Sequence, residues 1–413
     1  MQTKPFHWGS LLTLIVLIGS AFFLLLLVAV LLVGSLIGLF SQEGDPASQM
    51  ISAWAFGFAT IMLFICGWFV LQKMRGLEQA ELPFSFSLPS WAWIFTPLIV
   101  IAGVALGVGV SLAELPWLSW LFLPPLSVLV IVLPILFFFG IASNGIGAGS
   151  RWRFFATLGL GMTAGPFIMI VLEVIVIAVI IVSGAVYMSV TQPAILQEIS
   201  SLFDLFNEGI INEEAVLTGL APYISNPALL TILLSYIALI VPLIEELFKP
   251  LAVWIFARKI DSPAQGFVLG ALSGVAFALI ESLNASADSS ASWGVIVSAR
   301  AGTSLLHLTT SALVGWGIVS LFKEKRFGRF FAAYFSAVLV HGIWNASAAG
   351  AGIASIGELI GKPEWLFNLA PALICGLVVL GIGMFVVLLK SNRSLRTEPR
   401  PIPTEEVKVE SSS

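Results

Sequence analysis

Residues 227–257 read PALLTILLSYIALIVPLIEELFKPLAVWIFA, an apolar run in which only Glu245, Glu246 and Lys249 carry charge. About 20 such residues span the hydrocarbon core of a bilayer as one α-helix. A helix is the structure that suits this setting, because it satisfies its own backbone hydrogen bonds where no water can. Runs of this kind recur along the chain, and ten are read: 10–40, 51–72, 91–112, 117–142, 156–188, 227–257, 266–285, 298–322, 330–352 and 367–389. The composition agrees. The 413 residues are 58% hydrophobic and 10% charged, against about 25% charged in a soluble domain. The expectation is an all-α, polytopic helical membrane protein of about ten transmembrane helices, and a soluble enzyme or a disordered chain is excluded. With 19 Lys+Arg against 23 Asp+Glu and a net charge of −4, there is no basic face for nucleic acid. Cys66 and Cys375 lie inside apolar runs, which leaves neither a disulfide framework nor a cysteine metal cluster.

Loop charges order the spans. Lys4, Lys73, Arg75, Arg151, Arg153, Arg258, Lys259, Lys323, Lys325, Arg326, Arg329 and the basic residues from Lys390 onward fall in one set of connections. The alternate set holds Lys362 and, at a span edge, Arg300. By the positive-inside rule the chain is expected to have both termini in the cytoplasm. The run 10–40 far exceeds the apolar part of a signal peptide and is read as a long or tilted span. Five regions follow: N-terminal spans one to five (1–190) of unassigned role, an acidic extracytoplasmic loop (191–226), spans six to nine (227–352), the last span (353–390), and a Pro- and Ser-containing tail (391–413) expected to be disordered. Within the loop, Ile195–Phe206 is amphipathic and suited to a membrane surface.

Each charge at the centre of a span costs about 2.5–3.5 kcal/mol on an insertion scale, so intramembrane charges ask for a reason. They concentrate in spans six to nine. Span six carries Glu245, Glu246 and Lys249; span seven carries Gly266, Gly270, Gly274, Phe277 and Glu281; span eight carries Arg300 and His307; span nine carries His341 and Asn345. At 1.5 Å per residue, Glu245, Glu281, His307 and His341 lie about 18, 22, 21 and 17 Å from the cytoplasmic ends of their spans. One polar layer near mid-membrane is the result. Helical spacing also puts Gly266, Gly270, Gly274 and Glu281 on one face, where small residues let helices approach closely. Glu281 should therefore face helices and not lipid.

The chemistry of this layer is that of water activation. Two adjacent carboxylates at low dielectric are not both ionised without compensation, and Lys249, three and four residues on, compensates one. A carboxylate that takes a proton from water, with imidazoles to donate to an oxyanion, is minimal equipment for hydrolysing an amide. Asn345 and Arg300 are candidates for further hydrogen bonds to substrate or oxyanion, or for charge pairing. Pro242 and Pro250 bracket the acidic pair and are expected to kink the helix and open a hydrated pocket. Intramembrane carboxylates and histidines also build ion relays, so a proton- or ion-coupled transporter is the rival reading.

Glu-Glu-x-x-Lys at 245–249, Phe-x-x-x-Glu at 277–281, His307, and His-Gly-x-x-Asn at 341–345 stand in order on four consecutive spans. In this the chain resembles the PrsW-type intramembrane proteases, part of the superfamily of CAAX-processing and bacteriocin-processing membrane peptidases. The resemblance covers about residues 227–352. It implies catalytic roles for Glu245, Glu246, Glu281, His307 and His341, a membrane-anchored protein substrate, and a bacterial cell membrane as the location. It also implies a choice of mechanism. The family is classed with metallopeptidases, and Glu281, His307 and His341 would make a three-ligand zinc site with an open position for water. The related CAAX peptidases use glutamate and histidine without metal, with Glu245 as the corresponding base here. Ser282 stands where the family often has Asn, and Asn345 where the motif of close relatives can end in Asp.

Overall fold

The computed structural model describes residues 8–210, 212, 215–216, 218–220, 227–359 and 364–397. The expected tail lies outside these from residue 398 on, as do Glu213, Glu214 and Lys362. The described chain is helical, and ten stretches of it are long and apolar enough to cross a membrane. The first four are α1 (Trp8–Ser41), α2 (Pro46–Met74), α3 (Ala92–Leu112) and α4 (Pro116–Ser143). The fifth, Arg151–Thr191, is made of α5 (Arg151–Met162) and α6 (Ala164–Thr191), separated at Thr163 with φ −127° and ψ −82°. After α7 (Pro193–Asn207), an amphipathic helix with no buried residue, come α8 (Pro227–Ser235), a π-helical turn (Tyr236–Ile240), α9 (Val241–Phe248) and α10 (Leu251–Phe256). The last four spans lie in α11 (Pro263–Ala285), α12 (Trp293–Glu324), α13 (Phe327–Leu359) and α14 (Glu364–Thr397).

The centre of the bundle is the α11–α12 hairpin. Its closeness is written in glycine. A Cβ added at Gly270 would lie 2.3 Å from the Ser311 carbonyl oxygen, and one at Gly274 would lie 2.4 Å from the His307 carbonyl oxygen. Only hydrogen at these positions lets the backbones touch, and that contact sets the height of His307. Helices α2, α4 and α5 pack around α11, while α13 closes on α12 and α14 on α13. The N-terminal half also grips the start of α12: Trp293 is fully buried, its indole N–H donates to Ser127 Oγ at 2.9 Å, and its ring fills the space left by Gly107. Outward faces of α1 and α6 are apolar and exposed, as at Phe22, Phe23, Val174 and Val179, which is the surface a lipid solvent calls for.

The kinks expected from Pro242 and Pro250 are present and differ in kind. Pro242 opens α9 directly after the π turn, and Pro250 (φ −82°, ψ 33°) separates α9 from α10. In this π turn Val241 N–H reaches the Tyr236 carbonyl five residues back, and proline has no N–H to give the next one, that of Ile237, so the turn needs another partner. Asn345 Nδ2 donates to the Ile237 carbonyl oxygen at 3.2 Å, and Gly342 lets α13 approach so closely that a Cβ would lie 2.2 Å from the Ala238 oxygen. The Tyr334 hydroxyl donates to the Leu243 carbonyl oxygen at 2.7 Å. Through these bonds α13 holds the irregular helix that carries the acidic pair.

Gly274→Ala should lower the stability of the purified protein by about 1–3 kcal/mol, the usual cost of overpacking. Gly57→Ala, where nothing lies within 4 Å of the added Cβ, should leave it unchanged or slightly raised. Thermal unfolding followed by circular dichroism in detergent reads both, and an equal midpoint for the two variants would mean the α11–α12 contact is not closed. Asn345→Ala should cost about 1–2 kcal/mol in the same assay, because it strands a half-buried carbonyl.

Candidate active site

Span six delivers three of the groups. Glu245 and Glu246 lie in α9 and Lys249 caps its C-terminus one turn on, so the lysine side chain folds back over both carboxylates. Lys249 Nζ lies 2.7 Å from Glu245 Oε2 and 2.9 Å from Glu246 Oε1. It also reaches two other helices, lying 2.8 Å from His307 Nδ1 and 3.4 Å from His341 Nδ1, with the Phe277 ring centroid 4.7 Å away. Its side chain is 0% exposed.

Donor and acceptor rules then set the imidazoles. An ammonium only donates and a carboxylate only accepts. His307 Nδ1 therefore accepts from Lys249, and its proton sits on Nε2, which donates to Glu281 Oε2 at 2.6 Å. His341 is turned the other way. Its Nδ1–H donates to Glu246 Oε1 at 2.8 Å, so its Nε2 carries a lone pair and lies 3.8 Å from Glu245 Oε2. Each ring is thus clamped at one nitrogen by a carboxylate from a different helix. The rings stand edge to face with centroids 5.3 Å apart.

Exposure separates the cluster into two parts. Glu246, Lys249, His307 and His341 have side chains no more than 2% exposed, whereas Glu245 is 13%, Arg300 25% and Glu281 37% exposed. Arg300 Nη1 donates to Glu281 Oε1 at 3.2 Å, which ties the rim to His307 through one carboxylate. Asp288, in the turn that joins α11 to α12, lies outside the spans. Partial burial pushes its carboxyl up, but hydrogen bonds from Ser290 and Ser292 outweigh this and hold it below the usual carboxylate range. A cavity of about 740 Å³ lies elsewhere, at the turns between α1 and α2, between α3 and α4, and at residues 289–291. None of the charged residues of spans six to nine lines it.

Most of the residues singled out by their spacing come together, and two details differ from expectation. The donor atoms that converge belong to Glu245, His307 and His341, within 4.8 Å of one another; the expected set had Glu281 in place of Glu245. Glu281 stands instead on the outer nitrogen of His307, where a carboxylate orients an imidazole. The reason is rotational: α11 turns Glu281 to the rim, and the kinked α9 turns Glu245 inward. Asn345 is likewise committed to the Ile237 carbonyl. Ser282, standing where Asn is common, is buried and lies 3.4 Å from Ser304 Oγ. Glu173 of α6 is the lone charge of its helix. Its Oε1 is buried without a hydrogen-bond partner among the described residues. A single mid-span carboxylate was the signal for it.

One carboxylate and two imidazoles, each ring steadied by a further carboxylate, are donors suited to zinc with a position left for water. The donor set fits a divalent ion by its chemistry, and the Lys249 ammonium lies against the same atoms.

Residues 206–372 match the model described as PrsW family intramembrane metalloprotease. Comparisons with curated proteins and with solved structures returned no match. The matched segment contains Glu245, Glu246, Lys249, Glu281, His307 and His341 and omits the first five spans. The chain is an integral membrane peptidase whose residues 206–372 are similar to the PrsW family of intramembrane metalloproteases.

Proposed function

We propose that the protein is an endopeptidase of the bacterial cell membrane, with both termini cytoplasmic, that cuts membrane-anchored proteins or peptides at Glu245. The observation that carries this reading is the convergence of acids and imidazoles from four consecutive helices, with Glu245 as the partly accessible member that faces a free imidazole lone pair. Glu245 Oε2 and His341 Nε2, 3.8 Å apart, are both acceptors, and one water molecule offers a proton to each. That water is the nucleophile. Its oxygen bonds to the scissile carbonyl carbon as Glu245 takes its proton, and the carbonyl electron pair moves onto oxygen. The ammonium of Lys249 supplies the nearest fixed positive charge for this oxyanion. The carbon–nitrogen bond then breaks as Glu245 returns the proton to the leaving amine.

The remaining groups act by positioning. Glu246 holds His341 and Lys249, and Glu281 holds His307 while Arg300 fixes Glu281. Zinc is the ion proposed for Glu245, His307 and His341; when bound it would polarise a carbonyl and ease deprotonation of water. Residues 1–190 serve as the scaffold around the α11–α12 hairpin, and the 191–226 segment lies at the extracytoplasmic surface. A substrate helix must unwind locally to present an amide at this depth, since a helical amide is already hydrogen-bonded.

Glu245→Gln should reduce cleavage of a quenched fluorogenic transmembrane peptide in proteoliposomes by about 10²–10⁴-fold, the contribution of a general base. Glu246→Gln should lose about 10–100-fold, as for an orienting carboxylate. Cleavage at the wild-type rate by a folded Glu245→Gln variant would remove the assignment of the base.

A further inference from the structure

Three acceptor atoms on two helices surround one nitrogen, with the protonated Nδ1 of His341 farther off. Glu245 Oε2, Glu246 Oε1 and His307 Nδ1 lie 2.7, 2.9 and 2.8 Å from Lys249 Nζ, and His341 Nδ1 lies 3.4 Å from it. Two carboxylates and an imidazole lone pair around a point are what a divalent cation asks for. Here that point is taken by the chain's own ammonium, held from a further side by the face of Phe277.

The geometry points to the Lys249 ammonium and a divalent metal ion as alternative occupants of one cation position, so that a metal enters this site only as the Lys249 side chain withdraws. Three observations argue for this. First, the lone pair in question is singular. His307 Nε2 carries the proton that Glu281 accepts, so Nδ1 is the one nitrogen of that ring free to bind a metal, and Lys249 donates to it. Second, Glu245 Oε2 is shared in the same way, as it is both the closest partner of Nζ and the carboxylate of the converging donor set. A zinc ion bonded to these two atoms would stand about 2.0–2.2 Å from each, taking the one lone pair the ammonium uses on His307 and crowding the ammonium at Glu245. Third, the setting is buried and of low dielectric, where a single and a double positive charge on neighbouring points repel strongly. The inference rests on the peptidase reading for the meaning of the site, but it concerns cation affinity and is measured without turnover.

The test is metal binding by purified Lys249→Met, which keeps an unbranched stem and removes the charge. Cobalt is titrated into chelator-treated protein in detergent, with the ligand-field spectrum as readout, and zinc is titrated in competition with a chromophoric chelator. The expected result is one ion bound at least about 30-fold more tightly than by the wild type, roughly the affinity change of 2 kcal/mol. Adding His307→Ala to this variant should abolish the gain, which locates the ion. Equal or weaker binding by Lys249→Met overturns the proposal. Lys249→Ala serves as a second variant. Should neither retain its helical spectrum, lysine acylation mapped by mass spectrometry on the wild type decides. Zinc uptake that makes Lys249 reactive upholds the exchange, and a zinc-loaded wild type whose Lys249 stays shielded overturns it. Peptide cleavage by the wild type against Glu245→Gln reports on the peptidase reading separately, since a failure of cation exchange leaves a Glu245-dependent cleavage by the wild type intact.

Discussion

A single ammonium group in the interior of the bilayer organises the functional half of this protein. Lys249 carries a charge that cannot be left without partners at that depth, and it finds them on α9, α12 and α13 at once. The carboxylates in turn need the cation, because breaking a buried ion pair leaves an uncompensated charge and costs far more than forming it gained. The result is a set of mutual constraints. Moving any of these helices by the length of a hydrogen bond would strand a charge.

That demand explains features of the packing that lie away from the chemistry. The glycines along α11 bring α12 into backbone contact and thereby set the height of His307. Gly342 and Asn345 do the corresponding work for α13 against the π turn, so that His341 meets Glu246 while the broken backbone ladder keeps its hydrogen bonds. Irregular backbone at membrane depth is tolerated where protein covers it. The proline that opens α9 is thus affordable only because α13 supplies the missing donor. The first five spans enter the same scheme from outside, through the packing of α2, α4 and α5 on α11 and the anchoring of Trp293.

The division into a sealed inner group and an accessible rim gives the site a direction. Glu246, Lys249, His307 and His341 are closed off, and Glu245, Glu281 and Arg300 meet the outside. The sealed part holds charge and orientation in a dry setting, where fixed charges act with little screening. The rim is where an unwound peptide and its water would be met. Such an arrangement separates the partly exposed Glu245, the proposed base, from the sealed Glu246, although the two are neighbours in the chain.

Sequence by itself determined the all-helical membrane architecture, the ten spans and the membership of one polar layer. The bilayer admits few structures and penalises every charge, so apolar run length and the positions of rare charged residues suffice for these. Helical period also assigned Glu281 to a helix-facing side and paired Lys249 with both acids, since a spacing of three or four residues is a local fact. What only the tertiary structure decided is how four such faces are rotated and shifted against one another. Spacing places a side chain on a helix, but the axial offset and roll of each helix come from packing contacts between residues far apart in the chain. Hence Glu245 and not Glu281 joined the two imidazoles, Asn345 went to a backbone carbonyl opened by Pro242, and the fifth span broke at Thr163. The central place of Lys249 has the same origin, because a flexible side chain takes its position from whichever partners the assembled helices bring within reach.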